Sequence, residues 1–198
     1  MKNNINIIGT GGHSKVIQDI INLDKIYNIK LYDSNISRCN CEISYIDNIK
    51  VDNSIIAIGS NKIRKQISLM LPNLNWIIII HPSAIIAQDV VIGKGTVIMA
   101  GVIIQSGTII GNHCIINTGS CIDHDCTIND FVHIAPNSSI AGAVVIKEGV
   151  FVGIGSSIIN NIEINSWSVI GAGSVVLKNI NDNCIVGGNP AKFIRYNN

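Results

Sequence analysis

Isoleucine or valine recurs at every sixth position through the second half of the chain. From Ile86 to Val176, sixteen consecutive positions of this series carry one of these two side chains. The positions two residues earlier form a second series of small or β-branched residues, such as Thr96, Cys114 and Cys126. Branched aliphatic side chains favour strands because they pack well on a pleated surface. A six-residue aliphatic period predicts a parallel β-helix built from hexapeptide repeats.

In such a β-helix each hexad forms one short strand and one corner, and three hexads form one triangular coil. Positions separated by three hexads therefore stack on each other. Glycine follows the aliphatic residue at Gly93, Gly111 and Gly153, where it permits the conformation of a corner. Sixteen hexads correspond to about five coils, with the aliphatic series filling the interior.

The chain up to Ile80 follows a different pattern, in which short apolar runs alternate with stretches of helical spacing. Strands are predicted at 5–9, 29–33 and 54–60, helices at 15–23 and 62–71, and an extended run at 75–80. This alternation predicts a small parallel α/β domain. We place the boundary at His81-Pro82, because a residue before proline is pushed towards extended conformations. The predicted fold is therefore a small Rossmann-like α/β domain at 1–80 and a β-helix with a C-terminal tail at 81–198.

Composition narrows the functional classes. Among 198 residues the net charge is +1, which favours neither a nucleic-acid groove nor a polybasic membrane surface. No apolar run approaches the roughly 18–20 residues that span a bilayer, and the N-terminal residues lack the pattern of a signal peptide. A cytoplasmic protein is the prediction. The six cysteines show no zinc-type spacing and are predicted to be small buried hydrophobic residues.

A glycine-rich turn, "GTGGHS" at 9–14, lies between the first predicted strand and the first helix. Glycines let backbone N–H groups approach an anion, and a helix N-terminus favours negative charge. Ser14 replaces the third glycine of the dinucleotide fingerprint, whereas Asp33 lies about where a ribose-binding acid would sit. A tight turn without a ligand is the alternative. If a nucleotide binds, the small domain favours a mononucleotide diphosphate.

The triplet Asp123-His124-Asp125 lies between two positions of the aliphatic series, Ile122 and Ile128. His124 lies two positions after the interior Ile122, so it is predicted to point out of the prism near a corner. A carboxylate that accepts a hydrogen bond from one imidazole nitrogen leaves the other nitrogen available as a base. Gly142, three hexads after His124, would stack at the same corner, leave room for a ligand and expose its N–H. A solvated surface histidine is the alternative interpretation.

A zinc centre is the other chemistry to consider on a hexapeptide β-helix. His113, His124 and His133 occupy different phases of the hexad, so they do not converge easily on one tetrahedral ion. We therefore predict no metal site.

Five motifs occur together and in order: "GTGGHSKVI", "AIGSNKIRK", "HPSAIIAQDVVIG", "INTGSCIDHDCTI" and "VGGNPAK". With these motifs the chain resembles the bacterial sugar acyltransferase family over essentially its whole length. That family includes sialic acid O-acetyltransferases of the NeuD type and N-acetyltransferases of nucleotide-linked amino sugars of the PglD type. The match is closer to the second group, because an acid follows His124 where the sialic acid enzymes often carry glycine.

The resemblance implies a left-handed β-helix that forms homotrimers and binds acetyl-CoA between subunits. It implies that the α/β domain holds a UDP- or dTDP-linked 4-amino-4,6-dideoxysugar, and that His124 is the general base, oriented by Asp125. The implied substrate-binding residues are Gly11 at the diphosphate, His13 near the sugar, Asp33 at the base or ribose, and Asn117 at the sugar. The implied acetyl-CoA residues are His133, Gly142 (whose N–H stabilises the oxyanion), Gly153, Gly171, Gly173 and Lys192.

Three functions remain open at this point. The leading one is acetylation of a nucleotide-linked amino sugar for O-antigen, capsule or glycan synthesis. The nearest alternative is O-acetylation of sialic acid, which shares the fold and the base but has a hydroxyl acceptor. A non-catalytic β-helix that serves as a binding or structural surface is the alternative of another class. This non-catalytic alternative does not explain why the glycine-rich turn, His124 and the C-terminal "VGGNPAK" motif occur in one chain.

Overall fold

The computed structural model describes residues 3–24, 27–34, 41–42 and 52–197. Its first part is a five-stranded parallel sheet with strand order β3-β2-β1-β4-β5 and two helices. The elements are β1 Asn3–Ile8, α1 Gly12–Asp24, β2 Tyr27–Asp33, β3 Cys41–Glu42, β4 Asn53–Ile56, α2 Asn61–Met70 and β5 Asn75–Trp76. Five of these were predicted within a few positions. β3 was not predicted from the sequence, and Cys39 lies outside the described residues.

The second part is a parallel β-solenoid of two-residue strands, closed by two longer strands. The short strands are β6 Ile79–Ile80, β7 Ile85–Ile86, β8 Val91–Ile92, β9 Val97–Ile98, β10 Ile103–Ile104, β11 Ile109–Ile110, β12 Ile115–Ile116, β13 Cys121–Ile122, β14 Thr127–Ile128, β15 His133–Ile134, β16 Ser139–Ile140, β17 Val145–Ile146, β18 Phe151–Val152, β19 Ser157–Ile158, β20 Glu163–Ile164, β21 Val169–Ile170 and β22 Val175–Val176. The closing strands are β23 Cys184–Gly187 and β24 Lys192–Tyr196.

Every third strand belongs to the same face of the prism. Face 1 contains β6, β9, β12, β15, β18, β21, β23 and the antiparallel β24; face 2 runs from β7 to β22; face 3 runs from β8 to β20. The register from coil to coil is three hexads, as in Ile104 opposite Ile122 and Ile122 opposite Ile140. Face 1 has seven parallel levels, so the solenoid is longer than the predicted five coils. The predicted fold class, an α/β domain followed by a β-helix, is confirmed.

The interior follows the aliphatic series. The second residue of nearly every strand is buried, and Ile98, Ile134 and Ile170 are fully enclosed. The small series two positions earlier has a separate role, since its polar atoms bond to the next coil: Thr108 Oγ1 donates to the Asp123 carbonyl at 2.8 Å. Cys114, Cys126 and Cys184 are buried as predicted, whereas Cys121 is half-buried on face 2.

The α/β domain packs on face 1. Ile79, Val97 and Ile115 point outwards from this face and form one apolar cluster with helix α1 and strands β1 and β4. The predicted extended run at 75–80 is divided between the two parts: β5 pairs with β4, and β6 pairs with β9. The chain thus enters the β-helix at Ile79, two positions before the predicted boundary at His81.

Arg64 of α2 joins the two parts. Its side chain is 1% exposed and donates hydrogen bonds to the carbonyls of Ile58 and Gly59 in the α/β domain. On the β-helix it donates to the carbonyls of His113 and Phe131, both at 2.9 Å. Buried guanidinium groups are costly unless their donors are satisfied, and here carbonyls from both parts satisfy them. Arg64 therefore bonds the α/β domain to the edge between faces 3 and 1.

Candidate active site

His124 and Asp125 lie at the corner between faces 2 and 3, which we call the His124 edge (residues 87–90, 105–108, 123–126, 141–144 and 159–162). His124 Nδ1 is 2.8 Å from Asp125 Oδ2, and the His124 side chain is 60% exposed. Asp123 Oδ1 accepts the backbone N–H of His124 at 2.8 Å. The predicted outward position of His124 is thus what the structure shows.

This geometry prepares His124 to accept a proton. The hydrogen bond to Asp125 raises the pKa of His124, and the charge of Asp123 adds to this effect. Because a carboxylate only accepts, Nδ1 carries the proton when the ring is neutral, and Nε2 has the lone pair. Within the described residues, Nε2 has no hydrogen-bond partner.

Gly142 stacks on His124 as predicted, but the space above it is already occupied. A Cβ built on Gly142 would lie 2.6 Å from both Cε1 and Nε2 of His124. The missing side chain therefore makes room for the imidazole ring, where the sequence suggested room for a ligand. Among the described residues, the Gly142 N–H donates to no protein acceptor.

Gly142→Ala is expected to displace the imidazole of His124, the candidate base. It should lower kcat/KM for the acetyl transfer expected from the sequence roughly 10²-fold, because misplacing a catalytic group by about 1 Å has an effect of that size. Ala143→Gly, which removes a methyl group at the same corner, is the matched control and should retain near wild-type activity. Steady-state kinetics with purified variants would measure both. Equal rates for Gly142→Ala and the wild type would contradict the crowding of ring and glycine.

A second set of candidate residues lies on the other side of the prism. Asn117 is on the Asn117 edge, the corner between faces 1 and 2 (residues 99–102, 117–120, 135–138, 153–156 and 171–174). Its Nδ2 is 3.2 Å from His133 Nε2, and His133 Nδ1 is 3.4 Å from the Gly59 carbonyl. Burial, then the charge of Arg64 and then that of His13, lowers the pKa of His133 to about 3. His133 is therefore a neutral hydrogen-bonding residue.

The glycine-rich turn lies in the α/β domain that packs on face 1. A Cβ on Gly11 would meet nothing within 4 Å, so a ligand can approach this backbone at the start of α1. Asp33 Oδ2 accepts from the Thr10 N–H at 2.9 Å and from Thr10 Oγ1 at 2.6 Å, which fixes the turn. His13 Nε2 is buried without a hydrogen-bond partner among the described residues. Burial, and secondarily Arg64, lowers the pKa of His13 to about 4.

The structure thus brings the predicted residues together in two groups. His124, Asp125 and Gly142 are at the His124 edge, which lies opposite face 1 in the triangular section. Asn117 and His133 are on or beside face 1, where the α/β domain with Gly11, His13 and Asp33 packs. One chain by itself therefore does not join the candidate base to the candidate sugar-binding residues.

The predicted acetyl-CoA residues divide as well. Gly153, Gly171 and Gly173 lie on the Asn117 edge, and Lys192 is an exposed residue of β24. A Cβ on Gly153 would lie 2.6 Å from the Ile170 carbonyl, so close stacking of coils already requires glycine there. A Cβ on Gly173 would meet nothing within 4 Å, which leaves that corner open.

Face 2 contains a groove of about 520 Å³ that was not predicted from the sequence. It runs beside the His124 edge, with Cys121, Ser139 and Ser157 as its floor and Asp123 and Ala141 on the side towards His124. A signal for it exists in the sequence. The outward positions of face 2, read once per coil, change from Ile85 and Ile103 to these three small residues. Small side chains in the middle of an aliphatic column leave a depression.

The three histidines considered for zinc lie apart. His113 is buried on the edge between faces 3 and 1, stacked on Phe131 with ring centroids 5.4 Å apart, whereas His124 and His133 lie on the sides described above. In the described part of the chain, no three metal-ligating side chains form a group.

Among these same residues, neither helix is long and apolar enough to cross a membrane.

Comparison with known proteins agrees with both parts of the fold. Residues 4–71 match the PglD N-terminal domain, and residues 89–124 match the bacterial transferase hexapeptide model of six repeats. The acetyltransferase domain of PglB from Neisseria gonorrhoeae FA1090 is 30% identical, with 98% of this chain and 100% of that one covered and a TM-score of 0.91. The chain belongs to the PglD-type family of hexapeptide-repeat sugar acyltransferases.

The names of two further similar proteins give a bound ligand or an activity. PerB from Caulobacter crescentus, in complex with CoA and GDP-perosamine, is 29% identical, with 97% of each chain covered and a TM-score of 0.90. UDP-N-acetylbacillosamine N-acetyltransferase of Bacillus subtilis (strain 168) is 42% identical over 109 residues. That alignment covers 47% of this chain and 50% of the relative, so it spans about half the length of each.

Proposed function

We propose that the protein transfers the acetyl group of acetyl-CoA to the amino group of a nucleotide-linked 4-amino-4,6-dideoxysugar. The observation that carries this proposal is the exposed His124 with Nδ1 2.8 Å from Asp125 and Nε2 available as a base. The relatives add the substrate class, because they are named for acetylation of nucleotide-linked amino sugars or were solved with one. In the cytoplasm such a reaction would supply a precursor for O-antigen, capsule or glycan synthesis.

In the proposed mechanism the sugar amine attacks the thioester carbonyl of acetyl-CoA. His124 Nε2 takes a proton from the attacking nitrogen as the C–N bond forms, and Asp125 stabilises the imidazolium through Nδ1. The Gly142 N–H, which has no protein acceptor among the described residues, donates to the developing oxyanion. A donor of this kind typically contributes about 3–4 kcal/mol. The tetrahedral intermediate then expels the CoA sulfur, which leaves as the thiol with the proton held on His124.

The proposed site requires two copies of the chain. His124 lies on the edge opposite the face that carries the α/β domain, so the sugar-binding residues must come from a neighbouring subunit. A homotrimer brings the His124 edge of one subunit to the Asn117 edge of the next. The exposed outward side chains of faces 2 and 3, among them Ile85, Val91 and Ile109, provide apolar surface for this contact.

Within this assembly the groove on face 2 is a suitable place for the pantetheine arm of acetyl-CoA. It runs along the coils directly beside His124, and its floor of small residues admits a narrow extended chain. Gly171 and Gly173 of the neighbouring subunit's Asn117 edge would line the other side, with Lys192 near the phosphates. This placement needs no contribution from Gly153, where glycine is already required by the close stacking of coils.

The sugar nucleotide is proposed to bind at the α/β domain. Gly11 and the start of α1 offer backbone N–H groups to the diphosphate, with Asp33 holding the turn through Thr10. His13 and Asn117 then face the sugar, and the neutral His133 fixes the Asn117 amide.

Thiol release from acetyl-CoA, measured with a panel of acceptors, tests the proposed function. The panel contains UDP-, dTDP- and GDP-linked 4-amino-4,6-dideoxysugars together with free and CMP-linked sialic acid. Release with one amino sugar, and a product heavier by one acetyl group on nitrogen, is the expected result. Release only with sialic acid would reassign the reaction to O-acetylation, and no release with any acceptor would favour a binding protein.

A further inference from the structure

We propose that Gly107 is a positioning residue that holds the Asp125 carboxylate against His124; this inference rests on the proposed function. Gly107 lies on the His124 edge, one coil before Asp125. A Cβ built on Gly107 would lie 2.4 Å from Asp125 Oδ1 and 3.3 Å from Cγ. The carboxylate therefore occupies the volume that any other residue at 107 would fill.

The backbone conformation does not by itself require glycine at this position. Gly107 has a φ of +74°, in the left-handed region. However, Ala143, at the same point of the corner two coils later, has a φ of 56°, and Asp125 between them has 58°. These corners thus accept side chains in the left-handed conformation. What distinguishes position 107 is the carboxylate directly above it.

Hydrogen bonds fix the backbone at both Gly107 and Asp125. A Cβ added at position 107 would therefore move the Asp125 carboxylate. The Asp125 N–H donates to the Ser106 carbonyl at 3.0 Å, which ties one corner to the other. From the preceding coil, Asp89 Oδ2 accepts from the Gly107 N–H and from Ser106 Oγ, both at 2.8 Å. An alanine at 107 would therefore turn the Asp125 carboxylate away from His124 Nδ1 and leave the coils in place.

Three carboxylates face this part of the edge. Asp123 and Asp125 flank His124 on its own coil. Asp89 lies two coils before Asp125, and its carboxylate accepts hydrogen bonds from Ser106 and Gly107. Cys126, the residue after Asp125, has a buried thiol. Displacing the Asp125 carboxylate removes the largest influence that raises the pKa of His124, whereas the smaller influence of Asp123 remains.

Gly107→Ala is expected to lower the pKa of His124 and to reduce kcat/KM roughly 10²-fold. The matched control for the His124 titration is Gly101→Ala. Gly101 has a φ of +68°, but a Cβ there would meet its nearest atom, in Gly119, only at 3.8 Å. Both substitutions place a Cβ on a left-handed backbone, and the close contact with Asp125 is present at position 107 but not at 101. NMR titration of the His124 ring and steady-state kinetics measure the two effects.

A double-mutant cycle with Asp125→Ala decides whether Gly107 acts through Asp125. We expect Gly107→Ala to change neither the rate nor the His124 titration once Asp125 is already alanine. Equal effects of Gly107→Ala and Gly101→Ala on the His124 titration, or a full further loss of rate in the Asp125→Ala background, would overturn the inference. The NMR titration needs no turnover. If the wild type acetylated no acceptor, a Gly107-specific change in that titration would still support the positioning role while the proposed function failed.

Discussion

His124→Ala is expected to lower kcat/KM for the amino-sugar acceptor by about 10²–10⁴-fold, the usual contribution of a positioned general base. The side chain is 60% exposed and takes no part in the core, so the variant should fold as the wild type does. Steady-state assays at saturating acetyl-CoA measure the loss, and circular dichroism verifies the fold. His81→Ala, which removes a histidine outside the proposed site, is the matched control.

The pH profile provides an independent check on the same residue. A general base acts when it is neutral, so kcat/KM should rise with pH and level off above the pKa of His124. Because Asp125 and Asp123 raise this pKa, the inflection should lie above the ordinary histidine value of about 6.5. Asp125→Asn removes the larger influence and should move the inflection down. A flat profile, or a His124→Ala variant with more than half of the wild-type rate, would show that His124 is not the base.

The repeat made the fold predictable from the sequence. An aliphatic residue in one fixed phase has a place only inside a narrow prism, so the position of every interior side chain from Ile98 to Val176 follows from counting. The outward direction of His124 and its stacking with Gly142 follow from the same count. The count also shows that Asn117 and His124 occupy corners one hexad apart, and hence different edges of one chain.

Other features depend on packing that a one-dimensional pattern does not contain. The arginine at position 64 looks like an ordinary polar residue of a surface helix, and only the docking of the α/β domain on face 1 buries it. The space above Gly142 could be read as a ligand site until the direction of the His124 ring was known. Likewise, the glycine at 107 resembles the other corner glycines until the Asp125 carboxylate is placed above it.

Arg64→Met is expected to destabilise the α/β domain by roughly 3–5 kcal/mol, the range seen when one partner of a buried charged group is removed. Methionine fills part of the volume but leaves the carbonyls of Ile58, His113 and Phe131 without their donor. Each buried carbonyl that loses its partner carries a desolvation penalty. Urea unfolding followed by far-ultraviolet circular dichroism of the helical signal reports on this domain, since α1 and α2, the helices of the described residues, both belong to it.

Two further variants separate the role of the guanidinium fork from that of the charge. Arg64→Lys keeps the positive charge but presents a single ammonium group, which cannot reach carbonyls of both domains at once, so it should lose most of the same stability. Arg195→Met is the matched control, because the Arg195 side chain is exposed and, among the described residues, bonds only to the neighbouring Tyr196 carbonyl. Equal urea midpoints for the Arg64→Met and Arg195→Met variants would contradict the joining role of Arg64. A lowered midpoint for Arg64→Met, with wild-type values for Arg195→Met, would show that the same side chain that fixes the domain on face 1 also sets its stability.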